Sequence, residues 1–87
     1  MSQKTVVTYI SNNSLQCEEL LRQLDEWEID YELKNVSEER SYLQELQKAN
    51  VFGTPATFVK KANQVILGFS KGELRHALGI HQTKYDY

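Results

Sequence analysis

The sequence has little cysteine and no long apolar run. Cys17 is the only cysteine among 87 residues. A lone cysteine cannot form a disulfide within the chain, so the cross-linked scaffolds of small secreted proteins are excluded and packing must supply the stability. The apolar runs are far shorter than the roughly 20 residues that cross a bilayer, and no signal-type segment is apparent. These absences predict one small cytoplasmic domain that does not bind membranes.

The sequence also lacks an excess of basic residues. Ten lysines and arginines stand against twelve aspartates and glutamates, which gives a net charge of -2. Because no stretch concentrates cations, a nucleic-acid partner is not expected. A metal site is not expected either, since Cys17, His76 and His81 do not have the spacing of metal ligands. With 40% hydrophobic and 25% charged residues, the composition is that of an ordinary folded domain.

Strand and helix patterns alternate in the first half of the chain. Residues 5–10 are β-branched and aromatic types that suit a buried strand. Turn and cap residues follow, and then a helical apolar stripe runs from Cys17 to Trp27. Residues 29–36 alternate loosely and predict a half-buried strand, with Ser37 as the N-cap of a second helix.

A hairpin and a last helix are predicted in the second half. The only proline, Pro55, stands directly before an apolar strand at 56–59. A polar, lysine-containing turn then leads to a strand at 65–67. Ser70 opens the Ser-x-x-Glu pattern of a capping box, and Gly79 is a typical C-terminal stop.

The predicted order is therefore β-α-β-α-β-β-α. The first two strands must be parallel and the last two antiparallel, which gives an α/β domain with a mixed four-stranded sheet flanked by three helices. We expect the domain to span residues 1–79 and residues 80–87 to form a tail. The loop after the first strand lies at the edge where α/β folds bind ligands, so Ser14 and Cys17 are expected there.

Three motifs along this order resemble the glutaredoxin family of the thioredoxin superfamily. Residues 12–17 read Asn-Asn-Ser-Leu-Gln-Cys, residues 53–55 read Gly-Thr-Pro, and residues 68–69 read Gly-Phe. The sequence is most similar to the small redoxins that serve ribonucleotide reductase, whose loop reads Asn-Asn-Cys-x-Gln-Cys. The resemblance implies a thioredoxin-like fold and a role in thiol-disulfide exchange, cell redox homeostasis and electron transfer to protein disulfides.

The Cys-x-x-Cys motif of the family falls on Ser14 and Cys17. In the family the first cysteine attacks the substrate disulfide and the second resolves the mixed disulfide. A serine hydroxyl is a far weaker nucleophile, and the two histidines lie far along the chain in the last helix and tail, so no base accompanies Ser14. The resemblance therefore implies a weak or inactive oxidoreductase. Cys17 remains as a thiol that could form a mixed disulfide for another thiol to release.

A recognition edge is also implied by the resemblance. Thr54 and Pro55 correspond to the family's cis-proline segment, whose backbone pairs with an extended substrate strand. Gly68 and Phe69 correspond to the late Gly-Phe of the same family. We therefore expect these four residues to contribute to substrate binding.

The pattern favours protein partners over glutathione. Glutathione-binding members carry a lysine a few residues before the first cysteine and an acidic pair after the late glycines, whereas Ser11 and Ser70-Lys71 stand at those positions here. The resemblance thus implies no resident cofactor, a protein disulfide as substrate and a reductase-type electron donor. A monomer is expected.

Other interpretations of the same residues remain open. Ser14 is also a good plain N-cap, and Cys17 is also a typical small core residue. A serine at this position is equally compatible with a natural sequence and with a substitution that blocks a redox site. The chain could be a non-catalytic module that binds an extended peptide at the Thr54-Pro55 edge. An arsenate-reductase-like enzyme would need an exposed attacking cysteine, which Ser14 does not supply.

Overall fold

The computed structural model describes residues 5–80. It contains three helices and four strands in the predicted order, together with a short 3₁₀ turn. The elements are β1 (Val6–Ile10), α1 (Leu15–Glu26), β2 (Glu32–Asn35), α2 (Arg40–Lys48), β3 (Ala56–Val59), the 3₁₀ turn (Lys60–Ala62), β4 (Gln64–Leu67) and α3 (Lys71–Leu78). Over these residues, no helix combines the length and apolar character needed to cross a membrane.

The four strands form one mixed sheet in the order β2-β1-β3-β4. Strand β2 runs parallel to β1, while β3 is antiparallel to both β1 and β4. The predicted fold class is therefore confirmed. Because Ile10 is in register with Asn35 and Tyr9 with Ala56, the ends of β1 and β2 and the start of β3 meet at one edge of the sheet.

Each face of the sheet carries its own buried core. Alternate residues of a strand point to opposite faces, so β3 contributes Ala56 to one cluster and Val59 to the other. The first cluster consists of Val7, Tyr9, Leu46, Val51 and Ala56. The second cluster consists of Leu20, Leu24, Val59, Ile66 and Leu74. Between the strands, the fully buried hydroxyls of Thr8 and Thr57 lie 3.2 Å apart and bond to each other, so neither is left without a partner.

The predicted start of the second helix was wrong. Helix α2 begins at Arg40, and its N-cap is Glu39, which makes no capping hydrogen bond through its side chain. Ser37 lies earlier in a turn, where its hydroxyl accepts a hydrogen bond from the backbone N–H of Asn12 at 3.0 Å. Serine is a common helix cap, but the hydroxyl oxygen of Ser37 is engaged by the N–H of Asn12, which lies in a loop distant in sequence.

Strand β2 is also shorter than the predicted 29–36. Glu28 leaves α1 in the left-handed conformation, with φ of 58°, and the N–H of Ile29 closes the helix end by donating to the carbonyl of Leu24. Ile29 and Tyr31 then pack on the second core cluster before pairing with β1 begins. The apolar side chains that suggested a strand therefore anchor the helix exit.

Helix α3 begins after Ser70 and ends at Gly79 as predicted, although of the predicted capping box only the bond to the Ser70 hydroxyl is present. The hydroxyl of Ser70 accepts a hydrogen bond from the N–H of Glu73 at 3.4 Å. Gly79 ends the helix with φ of 74°, a backbone conformation that glycine adopts at little cost. The predicted tail of residues 80–87 lies outside the described residues except for Ile80, whose N–H donates to the carbonyl of Arg75.

A charged cluster fastens α2 to the sheet. The ammonium of Lys34 lies 2.8 Å from a carboxylate oxygen of Glu45, which also accepts a hydrogen bond from the hydroxyl of Tyr9 at 2.8 Å. Lys34 sits over the rings of Tyr9 and Tyr42 at 5.6 and 5.3 Å. The hydrogen bond from Lys34 lowers the pKa of Glu45, and burial together with the Glu45 contact raises the pKa of Tyr9 to about 12.

This cluster should make stability depend on pH in the acid range. Because the pKa of Glu45 is lowered in the folded state, its contribution is present at neutral pH and is lost as the pH falls through the folded-state value. We expect Glu45→Gln to weaken this pH dependence, at a cost of about 1 kcal/mol or less at neutral pH because the pair is partly exposed. Urea midpoints measured across the acid range test this, with Glu38→Gln as an exposed control. If the urea midpoints of Glu45→Gln and of the parent chain fall equally as the pH is lowered, the prediction is wrong.

Candidate functional site at the sheet edge

The loop that links β1 to α1 forms the centre of the candidate site. Ser14 is the N-cap of α1, and its hydroxyl accepts a hydrogen bond from the backbone N–H of Cys17 at 3.2 Å. This bond satisfies one of the free amides of the helix start. Ser14 is half-buried, while Leu15 beside it is 77% exposed. The hydroxyl of Ser14 thus stands where a substrate could reach it but is engaged as a cap.

Cys17 lies one turn into the helix and faces inwards. Only 2% of the residue is exposed, although its position in the first turn places it close to the helix N-terminus. A shallow cleft of about 170 Å³ lies beside it, lined by Ile10, residues 11–14, Cys17, Glu18 and Leu21. The thiol is therefore near the surface loop but largely closed to solvent.

Hydrogen bonds fix the loop to the end of β2. Besides the bond from Asn12 to Ser37, the side-chain amide of Asn35 donates to the side-chain carbonyl of Asn12 at 3.0 Å. The same Asn35 accepts a bond from the N–H of Ser37 at 2.8 Å. Asn13 then turns the chain into α1 with φ of 59°. The polar turn after β1 and the polar turn after β2 lie side by side because the two strands pair in parallel.

On its other side the loop touches the proline segment. The hydroxyls of Ser11 and Thr54 lie 2.7 Å apart and bond to each other. The Thr54-Pro55 peptide bond is cis, and the ring of Pro55 is fully buried. The side chain of Thr54 is therefore held by the loop, directly before the cis peptide bond.

Gly68 completes the arrangement. Its N–H donates to the carbonyl of Pro55 at 2.8 Å, and its φ is 74°. A Cβ atom at this position would lie 3.6 Å from the side-chain oxygen of Gln16, so the glycine adjoins the loop that opens α1. Phe69, in contrast, is half-buried and packs against the second core cluster.

We expect Gly68→Ala to destabilise the fold, because an L side chain is strained at positive φ. The expected cost is about 1 kcal/mol in the free energy of unfolding, measured by urea denaturation. Gly72→Ala is the matched control, since Gly72 lies in α3 with ordinary φ and nothing within 4 Å of its added Cβ. That control should be neutral or slightly stabilising. Equal effects of the two substitutions would show that backbone strain at Gly68 is unimportant.

The structure brings together most of the residues singled out in the sequence. Ser14, Cys17, Thr54, Pro55 and Gly68 belong to one edge of the sheet, whereas Phe69 turns to the core. Sequence reasoning missed the residues that hold the loop, namely Ser11, Asn12, Asn35 and Ser37. A signal for them existed, because polar turn residues follow both parallel strands and the ends of parallel strands lie side by side.

A resident metal has no obvious ligands in this part of the molecule. Across residues 5–80, no three histidine, cysteine, aspartate or glutamate side chains are grouped so that they could hold an ion. The functional groups at the site are the buried thiol of Cys17 and the hydroxyls of Ser11, Ser14 and Thr54.

Comparison with known proteins identifies the fold. No protein-family model matches the sequence, and no curated protein matches it. A mutant of the thioredoxin-like protein BC3987 superimposes with a TM-score of 0.80 at 20% identity, covering 91% of this chain and 100% of its own. The glutaredoxin-like protein NrdH-redoxin from Escherichia coli superimposes with a TM-score of 0.70 at 18% identity. The match covers 88% of this chain and 95% of NrdH-redoxin. A glutaredoxin from Archaeoglobus fulgidus superimposes with a TM-score of 0.73 at 17% identity, and the match covers 88% of each chain. The chain thus has the thioredoxin-like fold in the form found in glutaredoxin-like proteins.

Proposed function

We propose that this chain is a glutaredoxin-like thiol-disulfide redox protein in which Ser14 occupies the attacking position and Cys17 is the remaining thiol. The observation that carries the proposal is the meeting of the start of α1, the Thr54-Pro55 segment and Gly68 at one edge of the sheet. Its proposed partners are a protein disulfide and a reductase-type donor in the cytoplasm.

The proposed chemistry is exchange between a thiolate and a disulfide. The thiolate of Cys17 attacks one sulfur of the substrate disulfide, a Cys17–substrate disulfide forms, and the other substrate sulfur leaves as a thiolate. A donor dithiol then attacks the mixed disulfide through one thiolate and closes its own disulfide with the other. This sequence reduces the substrate, oxidises the donor and restores Cys17. Ser14 transfers no electrons and holds the helix start through its bond to the N–H of Cys17.

Burial of Cys17 should make this reaction slow. Because the residue is only 2% exposed, reaction with a chromogenic aryl disulfide is expected to proceed about a hundredfold or more slowly in the folded chain than in denaturant. Release of the chromophore measures the rate, and Cys17→Ser should release none. A folded chain whose Cys17 never reacts, although it reacts in denaturant, would contradict a role for this thiol.

The burial of Cys17 also favours a second candidate, a non-catalytic module that binds an extended peptide. Within residues 5–80, no backbone–backbone hydrogen bond engages Thr54, and pairing of this backbone with an added strand is the binding mode proposed here. Peptide binding that persists in Cys17→Ser supports this function. Binding that requires Cys17 would count against it.

A further inference from the structure

The side chain of Asn35 is the centre of a closed ring of hydrogen bonds beside the site loop, residues 11–14. Its amide nitrogen donates to the side-chain oxygen of Asn12 at 3.0 Å, and its side-chain oxygen accepts from the N–H of Ser37 at 2.8 Å. The hydroxyl of Ser37 in turn accepts from the N–H of Asn12 at 3.0 Å. Each of the three residues therefore bonds to the other two, and Asn35 takes part in two of the three bonds.

Polar contacts, rather than buried apolar side chains, hold this loop on the fold. Its four residues are serines and asparagines, of which Asn12 and Asn13 are exposed and Ser11 and Ser14 are half-buried. The ring of bonds is itself exposed to solvent. Segments with few buried apolar contacts and exposed hydrogen bonds open at a lower free energy than the whole domain unfolds. The loop therefore has the features of a segment that opens while the rest of the domain stays folded.

Opening of this loop changes access to the thiol. Residues 11–14 and Cys17 line the same cleft of about 170 Å³, and Cys17 is only 2% exposed while the loop is closed. The remaining lining residues belong to β1 and α1, which the sheet and the buried Leu20 and Leu24 hold in place. The loop is thus the wall of the cleft that the fold holds least firmly.

We propose that Asn35 is a positioning residue that keeps the loop closed beside Cys17, so that the thiol reacts only when the ring of bonds at Asn35 opens. The inference rests on the proposed redox function and adds a control to it. Asn35 lies at the end of β2 and does not line the cleft, so it acts through Asn12 and Ser37 rather than by touching the substrate.

The rate at which the folded chain releases the chromophore of an aryl disulfide tests this role. In the parent chain the rate should hardly change with urea below the unfolding transition, because local opening exposes little surface. Asn35→Ala should raise the rate in the absence of urea about tenfold, since the loss of two exposed hydrogen bonds shifts the opening equilibrium by roughly that factor. Its dependence on urea should stay equally weak, and circular dichroism should show a folded protein.

Asn63→Ala is the matched control for a loss of overall stability. Asn63 lies between β3 and β4 at the opposite end of the sheet, and its φ is 53°, so alanine is strained there. This variant should lower the urea midpoint but leave the rate of Cys17 without urea within about twofold of the parent rate. A rate that rises as much in Asn63→Ala as in Asn35→Ala would overturn the proposal, as would an Asn35→Ala rate with the steep urea dependence of global unfolding.

Asn12→Ala shows whether the two asparagines act together. It removes only the bond between their side chains, so it should raise the rate about threefold, and the double variant should react no faster than Asn35→Ala alone. A rate about thirtyfold above that of the parent chain in the double variant would mean that the two side chains act separately, and the proposed ring would be wrong.

The same assay separates this inference from the redox function. If Cys17 reacts in the folded parent chain but Asn35→Ala reacts at the parent rate, the role of Asn35 is wrong and the redox function stands. If Cys17 reacts in neither folded protein, although it reacts in both in denaturant, the redox function is wrong and the inference is lost with it.

Discussion

Replacing Ser14 with cysteine is expected to convert the chain into a disulfide reductase, with a rate at least about a thousandfold above that of the parent chain. The introduced sulfur would stand at the N-cap of α1, where the N–H of Cys17 now donates to the serine hydroxyl. That amide and the positive end of the helix dipole stabilise a thiolate and lower its pKa. Cys17, one turn further on and buried, would then resolve the mixed disulfide.

The measurement is reduction of a small disulfide and of a protein disulfide with a dithiol donor. Ser14→Cys combined with Cys17→Ser should form the mixed disulfide but fail to resolve it, which separates attack from resolution. Ser14→Ala should be inactive and less stable by about 1 kcal/mol, because it removes the cap. If Ser14→Cys is as inert as Ser14→Ala, the proposed redox function is wrong.

Leu24→Ala should cause the largest loss of stability. Leu24 is completely buried and belongs to the cluster that joins α1, α3 and the sheet. Removing its isobutyl group leaves a cavity and should lower the free energy of unfolding by about 2–5 kcal/mol. The free energy of unfolding of a domain this small is about 5–15 kcal/mol at most. The variant is therefore expected to be partly unfolded at elevated temperature.

Urea denaturation checks this expectation. The urea midpoint should fall. The slope of the free energy of unfolding against urea concentration should stay the same, since the surface exposed on unfolding hardly changes. Leu15→Ala is the matched control in the same helix, because Leu15 is 77% exposed and should change stability by about 0.5 kcal/mol or less. A Leu24→Ala effect no larger than that of Leu15→Ala would show that this cluster does not hold the fold together.

The order of strands and helices was predictable because each element carries its own local signal. The apolar run of residues 5–10 became β1, the Ser14 cap began α1, and Gly79 ended α3. These signals depend on backbone conformation and on the spacing of apolar side chains, which neighbouring residues set. The predictions were wrong where a contact with a residue distant in sequence determined the local structure. Ser37 was expected to cap a helix, but its oxygen binds the loop of Asn12.

The candidate site was predictable in part for the same reason. Ser14, Cys17, Thr54, Pro55 and Gly68 belong to short motifs that can be found without a structure. The hydroxyl pair of Ser11 and Thr54 joins residues 43 positions apart, and the bond between Asn12 and Asn35 joins residues 23 positions apart. The expected contribution of Phe69 to binding stays a prediction, and its ring packs on the core.

By itself, the sequence determined the class of fold, the lone cysteine and the serine at position 14. Those properties follow from residue type and local spacing. Only the tertiary structure decided that Cys17 is almost closed to solvent, that the loop is tied to two other segments, and that the loop and Cys17 line one cleft. The physical reason is that accessibility and clefts arise between elements, when side chains from distant parts of the chain exclude water together or leave a gap.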